Sequence, residues 1–188
     1  EDRVDPGRGF GTHPHDNMEI LSYVIDGTIE HKDSMGNGST ITAGELQRMT
    51  AGSGVTHSEF NHSPSNPLHF LQIWIHPDER DLQPGYEQRE FPFDERMGEL
   101  LLIASKDGRD DSITVHQDIS LFAGRFEMGQ SVERELSSDR HGWLQIVRGE
   151  IQANEETLRA GDGAAITGPA DLRLTASSDA ELLLFDLN

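Results

Sequence analysis

The chain has 188 residues, the length of one large domain or two small ones. Its 15 Lys and Arg residues stand against 34 Asp and Glu residues, so the formal net charge is −19. This charge argues against binding to nucleic acid or to an anionic membrane, because phosphate groups are bound by clustered cations. The absence of cysteine excludes disulfides, thiolate catalysis and cysteine-based metal sites. No apolar run approaches the roughly 18 residues of a membrane span, so a cytoplasmic protein is expected.

The first half of the chain is predicted to be a series of short strands separated by glycine turns. The clearest strand covers residues 20–25 and ends at Asp26-Gly27, a typical hairpin signal. The last strand, Leu68–Ile75, is apolar almost throughout and is expected to be buried on both faces. Further strands and turns are predicted between these two, at 28–31, 34–38, 41 and 43–45.

The second half repeats this plan. The segment VIDGTI at 24–29 aligns with IVRGEI at 146–151, and TAGE at 42–45 aligns with RAGD at 159–162, in the same order. Such self-similarity indicates a duplicated β-unit. The fold class is therefore predicted to be all-β with two similar modules. The predicted ranges are a first module at 1–76, a linker and the start of the second module at 77–112, and the second module at 113–188.

Two short motifs in the first module have the spacing of metal ligands. His13-Pro14-His15 places two imidazoles two residues apart, and His57-Ser58-Glu59 places an imidazole and a carboxylate at the same spacing. Residues i and i+2 of a strand point to the same face. If the two strands are neighbours in a barrel, the four side chains converge. Three neutral nitrogens and one anionic oxygen suit a divalent first-row metal.

The same histidines admit other interpretations. A single His-x-His pair is often a solvated strand face, but the second pair and the glycine turn at 52–54 strengthen the metal hypothesis. A metallo-hydrolase of the His-x-His-x-Asp-His type is excluded, because Asn17 and Met18 follow Asp16. The remaining histidines are interpreted as surface or packing residues: 31, 62, 69, 76, 116 and 141.

Longer sequence strings resemble a known family. The pattern Gly7-x5-His13-x-His15-x3-Glu19 is similar to the first cupin motif, and Gly54-x2-His57-x3-Asn61 is similar to the second. Other, more specific strings resemble the pirin family. Within that family the resemblance is closest to bacterial pirin-like bicupins of the quercetin 2,3-dioxygenase group. These strings are GFGTHPH at 9–15, EHKDSMGN at 30–37, and the segments at 47–61, 72–75 and 86–89.

The resemblance implies a bicupin, two cupin (jelly-roll-like) β-barrels in tandem, with metal only in the N-terminal barrel. The family ligands fall on His13, His15, His57 and Glu59. Glu19 occupies the carboxylate position of many other cupins and stays as the alternative ligand. One divalent metal per chain is expected, with Fe(II) as first choice and Cu, Ni, Co, Mn or Zn as alternatives.

Two further expectations concern the ends of the modules. Family members begin upstream with strands that help to close the first barrel, so the module at 1–76 is expected to lack its first strands. Alignment on the hairpin glycine places Glu135 opposite His13 and Ser137 opposite His15, so the second module is expected to be a degenerate cupin without metal.

The function implied by the resemblance is a metal-dependent dioxygenase that opens the central ring of flavonols such as quercetin and releases carbon monoxide. The expected substrates are a small aromatic flavonol and O2, with Glu59 as catalytic base. An aromatic slot is expected to be lined by residues among Phe10, Met49, Phe60 and Trp74. The alternative is a pirin-like, metal- and redox-dependent interaction protein that meets a protein partner as a transcription co-regulator. A structural bicupin with a purely stabilising metal is a third interpretation.

Overall fold

A computed structural model describes residues 1–188 and consists of β-strands, turns and two short 3-10 helices at Phe93–Glu95 and Arg109–Asp111. The predicted all-β class is confirmed. No helix has the length and apolar character required to cross a bilayer. The strands are β1 (Asp2–Val4), β2 (Gly9–His15), β3 (Glu19–Asp26), β4 (Thr28–Asp33), β5 (Gly38–Thr42), β6 (Glu45–Thr50), β7 (Val55–Asn61), β8 (Leu68–Ile75), β9 (Gly85–Glu90), β10 (Leu101–Ser105), β11 (Ile113–Thr114), β12 (Ile119–Phe126), β13 (Ser131–Leu136), β14 (His141–Arg148), β15 (Glu150–Ala153), β16 (Glu156–Arg159), β17 (Gly163–Thr167), β18 (Ala170–Ala176) and β19 (Ala180–Leu187).

The chain divides into two compact units. The first contains Glu1–Phe91 together with the short segment Val115–Gln117, and the second contains Pro92–Thr114 and Asp118–Asn188. Strand β9 comes from the segment that the sequence suggested as a linker, and it pairs with β6 along the edge of the first unit's larger sheet. The first unit therefore extends to Phe91.

Each unit contains two sheets with corresponding strand orders, and all neighbouring strands are antiparallel except β10 and β11, which are parallel. In the first unit the orders are β1-β8-β3-β6-β9 and β2-β7-β4-β5. In the second they are β11-β10-β12-β19-β14-β17 and β13-β18-β15-β16. The central trio β8-β3-β6 thus corresponds to β19-β14-β17, and β2-β7-β4-β5 corresponds to β13-β18-β15-β16. The duplication inferred from sequence is present in the topology.

Two glycines make the corresponding turns from one sheet to the other in each unit; β3 and β4 lie in different sheets, so the hairpin predicted at Asp26-Gly27 does not form. Gly27 follows β3 with φ of 84°, and Gly149 follows β14 with φ of 72°. Positive φ is the region that glycine adopts without the steric cost of a Cβ atom. In both cases a Cβ would also meet backbone atoms of the facing segment at less than 3 Å. These contacts explain why both copies keep glycine here.

The interiors of the two units differ in polarity. In the first unit two separate apolar clusters are present, one around Val24 and Phe70 and one around Ile20 and Met49. Because alternate residues of β3 face inward, Ser22 lies between Ile20 and Val24 and is also fully buried. In the second unit one continuous apolar cluster of thirteen buried residues fills the interior. The first interior therefore has a buried polar layer, and the second is an ordinary apolar core.

The expectation that Leu68–Ile75 is buried on both faces is wrong. Leu68 and Phe70 are buried, whereas Leu71 and Ile73 are half-buried and Trp74 is 54% exposed. Leu68, Phe70 and Trp74 share one face of the strand, which is buried at its start and accessible at Trp74. An apolar run alone does not show where along the strand this cover ends.

Candidate metal centre

Strands β2 and β7 bring three of the predicted metal ligands together. The two strands are antiparallel neighbours, and His13 lies directly opposite His57 in their register. A register shift between Phe10 and His13 marks a bulge beside this pair. The ring centroids of His13, His15 and His57 are 4.5 to 5.0 Å apart. One potential ligand atom from each of these side chains lies within 4.8 Å of the others.

The hydrogen bonds of these histidines leave lone pairs for an ion. His13 Nδ1 lies 2.8 Å from the carbonyl oxygen of Gly11, which can only accept, so Nδ1 donates and Nε2 keeps its lone pair. His13 Nε2 lies 3.1 Å from His57 Nε2. Two nitrogen ligands at about 2.1 Å from one ion and at right angles to each other are also about 3 Å apart.

Two buried nitrogen atoms of the cluster lack any hydrogen-bond partner within the chain. They are His15 Nε2 and His57 Nδ1. A buried polar atom without a partner is costly, and such atoms are rare outside functional sites. The unpartnered His15 nitrogen, next to two other imidazoles, fits a site that holds a divalent metal.

Burial keeps the central imidazoles neutral. Desolvation lowers the pKa of His57 to about 3, and the repulsion that a protonated His57 would meet from protonated His13, His31 or His15 acts in the same direction. Burial is also the main cause that lowers the pKa of His15. The neutral imidazole is the form that binds a metal, so this pair is prepared for coordination at neutral pH without the release of a proton.

Glu59, the fourth predicted ligand, lies on the same strand as His57 and is 3% exposed. Its Oε1 accepts a hydrogen bond from Ser22 Oγ at 3.0 Å, and its Oε2 accepts one from Gln72 Nε2 at 2.6 Å. Burial raises the pKa of this carboxyl, and the two hydrogen bonds act in the opposite direction. Its ligand atoms cluster with those of His57 and His31. His57 thus belongs to both groups of ligand atoms, and through it Glu59 lies next to the three histidines.

His31 is a member of this neighbourhood that the sequence did not single out. It is fully buried on β4, and its ring centroid is 5.4 Å from that of His57. His31 Nε2 lies 3.1 Å from Asp33 Oδ2, and Gln47 Nε2 donates to His31 Nδ1 at 3.2 Å. The spacing of His31 and Asp33 is the same i, i+2 pattern that identified His13 and His15, and it was the available signal.

Glu19, the alternative carboxylate, is occupied elsewhere in the first unit. Its side chain is fully buried and accepts hydrogen bonds from Thr50 Oγ1 at 2.9 Å and from the backbone N–H of His116 at 2.6 Å. The ring Nδ1 of His116 lies 2.8 Å from the same carboxylate. Glu19 thus holds the segment Val115–Gln117 against β3 and also contacts β6, so its carboxylate has a structural role.

The residues expected to line an aromatic slot are in different environments. Met49 is fully buried in an apolar cluster, so it packs in the core. Phe10 and Phe60 are about two-fifths exposed, at 40% and 39%. Trp74 is exposed and its ring stands edge-on to that of His15, with centroids 5.2 Å apart. Of these four residues, Trp74 is thus in ring contact with a predicted ligand.

In the second unit the corresponding positions carry different residues. Ile29 pairs with Asn61 and Ile151 pairs with Ala176, so Leu172 and Leu174 correspond to His57 and Glu59. Arg134 pairs with Leu172 as His13 pairs with His57, so Arg134 and Leu136 are the residues that correspond to His13 and His15. The alignment on the hairpin glycine gave Glu135 and Ser137. It is off by one residue, because four residues separate β13 from β14 and only three separate β2 from β3.

Comparisons with known proteins agree with this architecture. The family model "Pirin" matches residues 1–75, and the model "Quercetinase C-terminal cupin domain" matches residues 102–187. A quercetin 2,3-dioxygenase of Escherichia coli K12 is 44% identical over 187 residues, which are 100% of this chain and 80% of the relative. The crystal structure of YhhW from Escherichia coli superimposes with a TM-score of 0.94 at 43% identity, over 99% of this chain and 78% of that one. A crystal structure of YhhW described as a bacterial pirin in complex with nickel(II) gives a TM-score of 0.92 at 43% identity, over 98% of this chain and 79% of that one. The expected bicupin fold is confirmed.

Proposed function

The chain belongs to the pirin family, and from that premise we propose that it is a metal-dependent dioxygenase that cleaves flavonols such as quercetin with release of carbon monoxide. The observation that carries the proposal is the cluster of three convergent imidazoles, of which burial keeps His15 and His57 neutral, beside a buried carboxylate. The relative from Escherichia coli that is named for this activity is 44% identical over the full length of the chain.

The proposed ligands are His13, His15 and His57, with Glu59 on the metal or directly beside it. A set of three imidazole nitrogens and one carboxylate oxygen suits Fe(II), our first choice, and also Cu, Ni, Co, Mn or Zn. Nickel(II) is bound by the YhhW protein that is 43% identical to this chain. When bound, the ion would supply Lewis acidity toward the 3-hydroxyl oxygen of the flavonol.

Glu59 is proposed as the base that accepts the proton of that hydroxyl. A raised pKa makes the Glu59 carboxylate a stronger base, which is better able to accept a proton during turnover. The donors Ser22 and Gln72 hold the carboxylate in one orientation while it changes charge. The deprotonated, electron-rich flavonol then reacts with O2, the central ring opens and carbon monoxide leaves.

The second unit is proposed to bind no metal at the corresponding place. Leu172 and Leu174, which correspond to His57 and Glu59, belong to its continuous apolar core. Leucine offers no ligand atom, and Arg134, which corresponds to His13, carries a permanent positive charge. One ion per chain is therefore the expected content.

Oxygen uptake with quercetin tests the proposed activity. Protein loaded in turn with Fe, Cu, Ni, Co or Mn should consume O2 and release carbon monoxide in equal amounts, at rates well above free metal in buffer. A His13→Ala/His57→Ala double variant serves as the matched control. Uptake no faster than free metal with all five ions would refute the dioxygenase and favour the redox-dependent interaction protein.

A further inference from the structure

A hydrogen-bonded chain of three side chains leads from the surface of the first unit to Glu59. The indole Nε1 of Trp74 donates to Gln72 Oε1 at 2.9 Å, and Gln72 Nε2 donates to Glu59 Oε2 at 2.6 Å. Gln72 and Trp74 are two residues apart on β8, so both point to the same face of the strand. We propose that Trp74 and Gln72 are positioning residues that together orient the Glu59 carboxylate toward the metal ligands, an inference that rests on the proposed function.

The chemistry of the end groups fixes the direction of this chain. An indole N–H can only donate a hydrogen bond, and an ionised carboxylate can only accept one. The Gln72 amide satisfies both neighbours in a single orientation, with its oxygen toward Trp74 and its nitrogen toward Glu59. If the indole donor is removed, the Gln72 amide loses one of the two hydrogen bonds that fix its position, and its nitrogen is then held only by the carboxylate that it should orient.

Trp74 also contacts the histidine side of the site. Its ring stands edge-on to His15, with centroids 5.2 Å apart and an interplanar angle of 87°. Trp74 is therefore linked to two proposed ligands, to His15 by ring contact and to Glu59 through Gln72. A tryptophan that is 54% exposed adds little to core packing, so these two contacts are a better account of its position.

The second unit offers matched controls for both residues. Trp143 is 41% exposed, and its Nε1 lies 3.4 Å from Gln145 Oε1 in the same i, i+2 arrangement. Gln145 Nε2 then donates to a backbone carbonyl, that of Asp162, at 3.1 Å. The pair Trp143 and Gln145 thus reproduces the indole–amide contact without a carboxylate at its end.

The test measures Co(II) binding by the full chain, with titration calorimetry for the affinity and the visible spectrum for the environment of the bound ion. Four variants are compared with the parent, namely Trp74→Phe, Gln72→Met, Trp143→Phe and Gln145→Met. Loss of a residue that orients a ligand typically costs 10- to 100-fold in metal affinity. Trp74→Phe and Gln72→Met should therefore weaken Co(II) binding at least about 10-fold and change the spectrum, with thermal midpoints close to that of the parent. The two second-unit variants should bind as the parent does.

Each outcome has a distinct meaning. Parent-like affinity and spectrum in Trp74→Phe would overturn the positioning role, whatever Gln72→Met does. Equal losses in the second-unit variants would also overturn it, because the effect would then be one of general stability. Absence of Co(II) binding in the parent itself would refute the proposed metal centre and the positioning role together, and the parent titration distinguishes this failure from the other two.

Discussion

Replacement of Glu59 by glutamine separates a catalytic base from a residue that only holds the metal. Glutamine keeps the shape and one carbonyl oxygen but removes the negative charge and the useful basicity. Its oxygen can still accept from Gln72, and its amide nitrogen can donate to the Ser22 hydroxyl, which is able to rotate and accept. Both hydrogen bonds of the buried carboxylate thus have replacements. We therefore expect Glu59→Gln to change the free energy of unfolding of the metal-free protein by no more than about 1 kcal/mol.

Turnover should respond much more strongly than stability. General base catalysis typically contributes 100-fold or more, so quercetin turnover of metal-loaded Glu59→Gln should fall by at least about 100-fold. The matched control is Glu19→Gln, another buried carboxylate of this unit. That variant weakens charge-assisted contacts to Thr50 and His116 and should lose about 1–3 kcal/mol of stability while it keeps its turnover per bound metal.

The assay measures metal content, turnover and thermal midpoint on the same preparations, before and after addition of excess metal. Near-parental turnover of fully metallated Glu59→Gln would refute the base role. Parallel loss of metal and activity, both restored by excess metal, would instead identify Glu59 as a ligand with no part in proton transfer. A large loss of turnover in metallated Glu19→Gln would transfer the carboxylate role to Glu19.

Three further predictions address stability. Leu174→Ala in the second unit's core should cost about 2–5 kcal/mol in denaturant unfolding and leave metal content unchanged, and a loss of bound metal would contradict a metal-free second unit. His57 is neutral in the fold down to a pKa of about 3 but takes up a proton below pH 6.5 when unfolded, so metal-free protein should lose about 2 kcal/mol between pH 7 and pH 5. His57→Gln should remove that part of the loss and His141→Gln should not, and identical pH profiles for all three proteins would refute the burial argument. The net charge of −19 should make the thermal midpoint rise between 0.1 M and 1 M NaCl, where the Debye length falls from about 10 Å to about 3 Å, and a flat or falling midpoint would show that the charges are already well paired.

Strand alternation and the internal repeat could be predicted from sequence, because both depend on local spacing. The pairs His13/His15 and His57/Glu59 each lie on one strand, where a period of two fixes the shared face. That the two pairs meet depends on β2 pairing with β7, a contact 44 residues apart that only barrel closure provides. The structure brings the three histidines together, and it places Glu59 with His57 and His31, a grouping that the spacing alone did not predict.

The environment of Glu59 was beyond sequence reasoning. Its two donors come from β3 and β8, 37 and 13 residues away along the chain. The apolar sequence around Gln72 indicated only a buried strand, so the polar layer across the first interior was not anticipated. The positions that correspond to His13 and His15 were displaced by one residue, because the loop before β14 has one residue more than the loop before β3 and the alignment on the hairpin glycine contained no gap.

The most direct test of the metal centre is the crystal structure of the Ni(II)-loaded protein, with anomalous scattering recorded at the nickel edge. The account predicts one anomalous peak per chain, within bonding distance of nitrogen atoms of His13, His15 and His57, with Glu59 on the ion or in contact with its open positions. A peak bonded to Glu19, a second peak among the strands of the second unit, or a peak that leaves the three histidines free would contradict it.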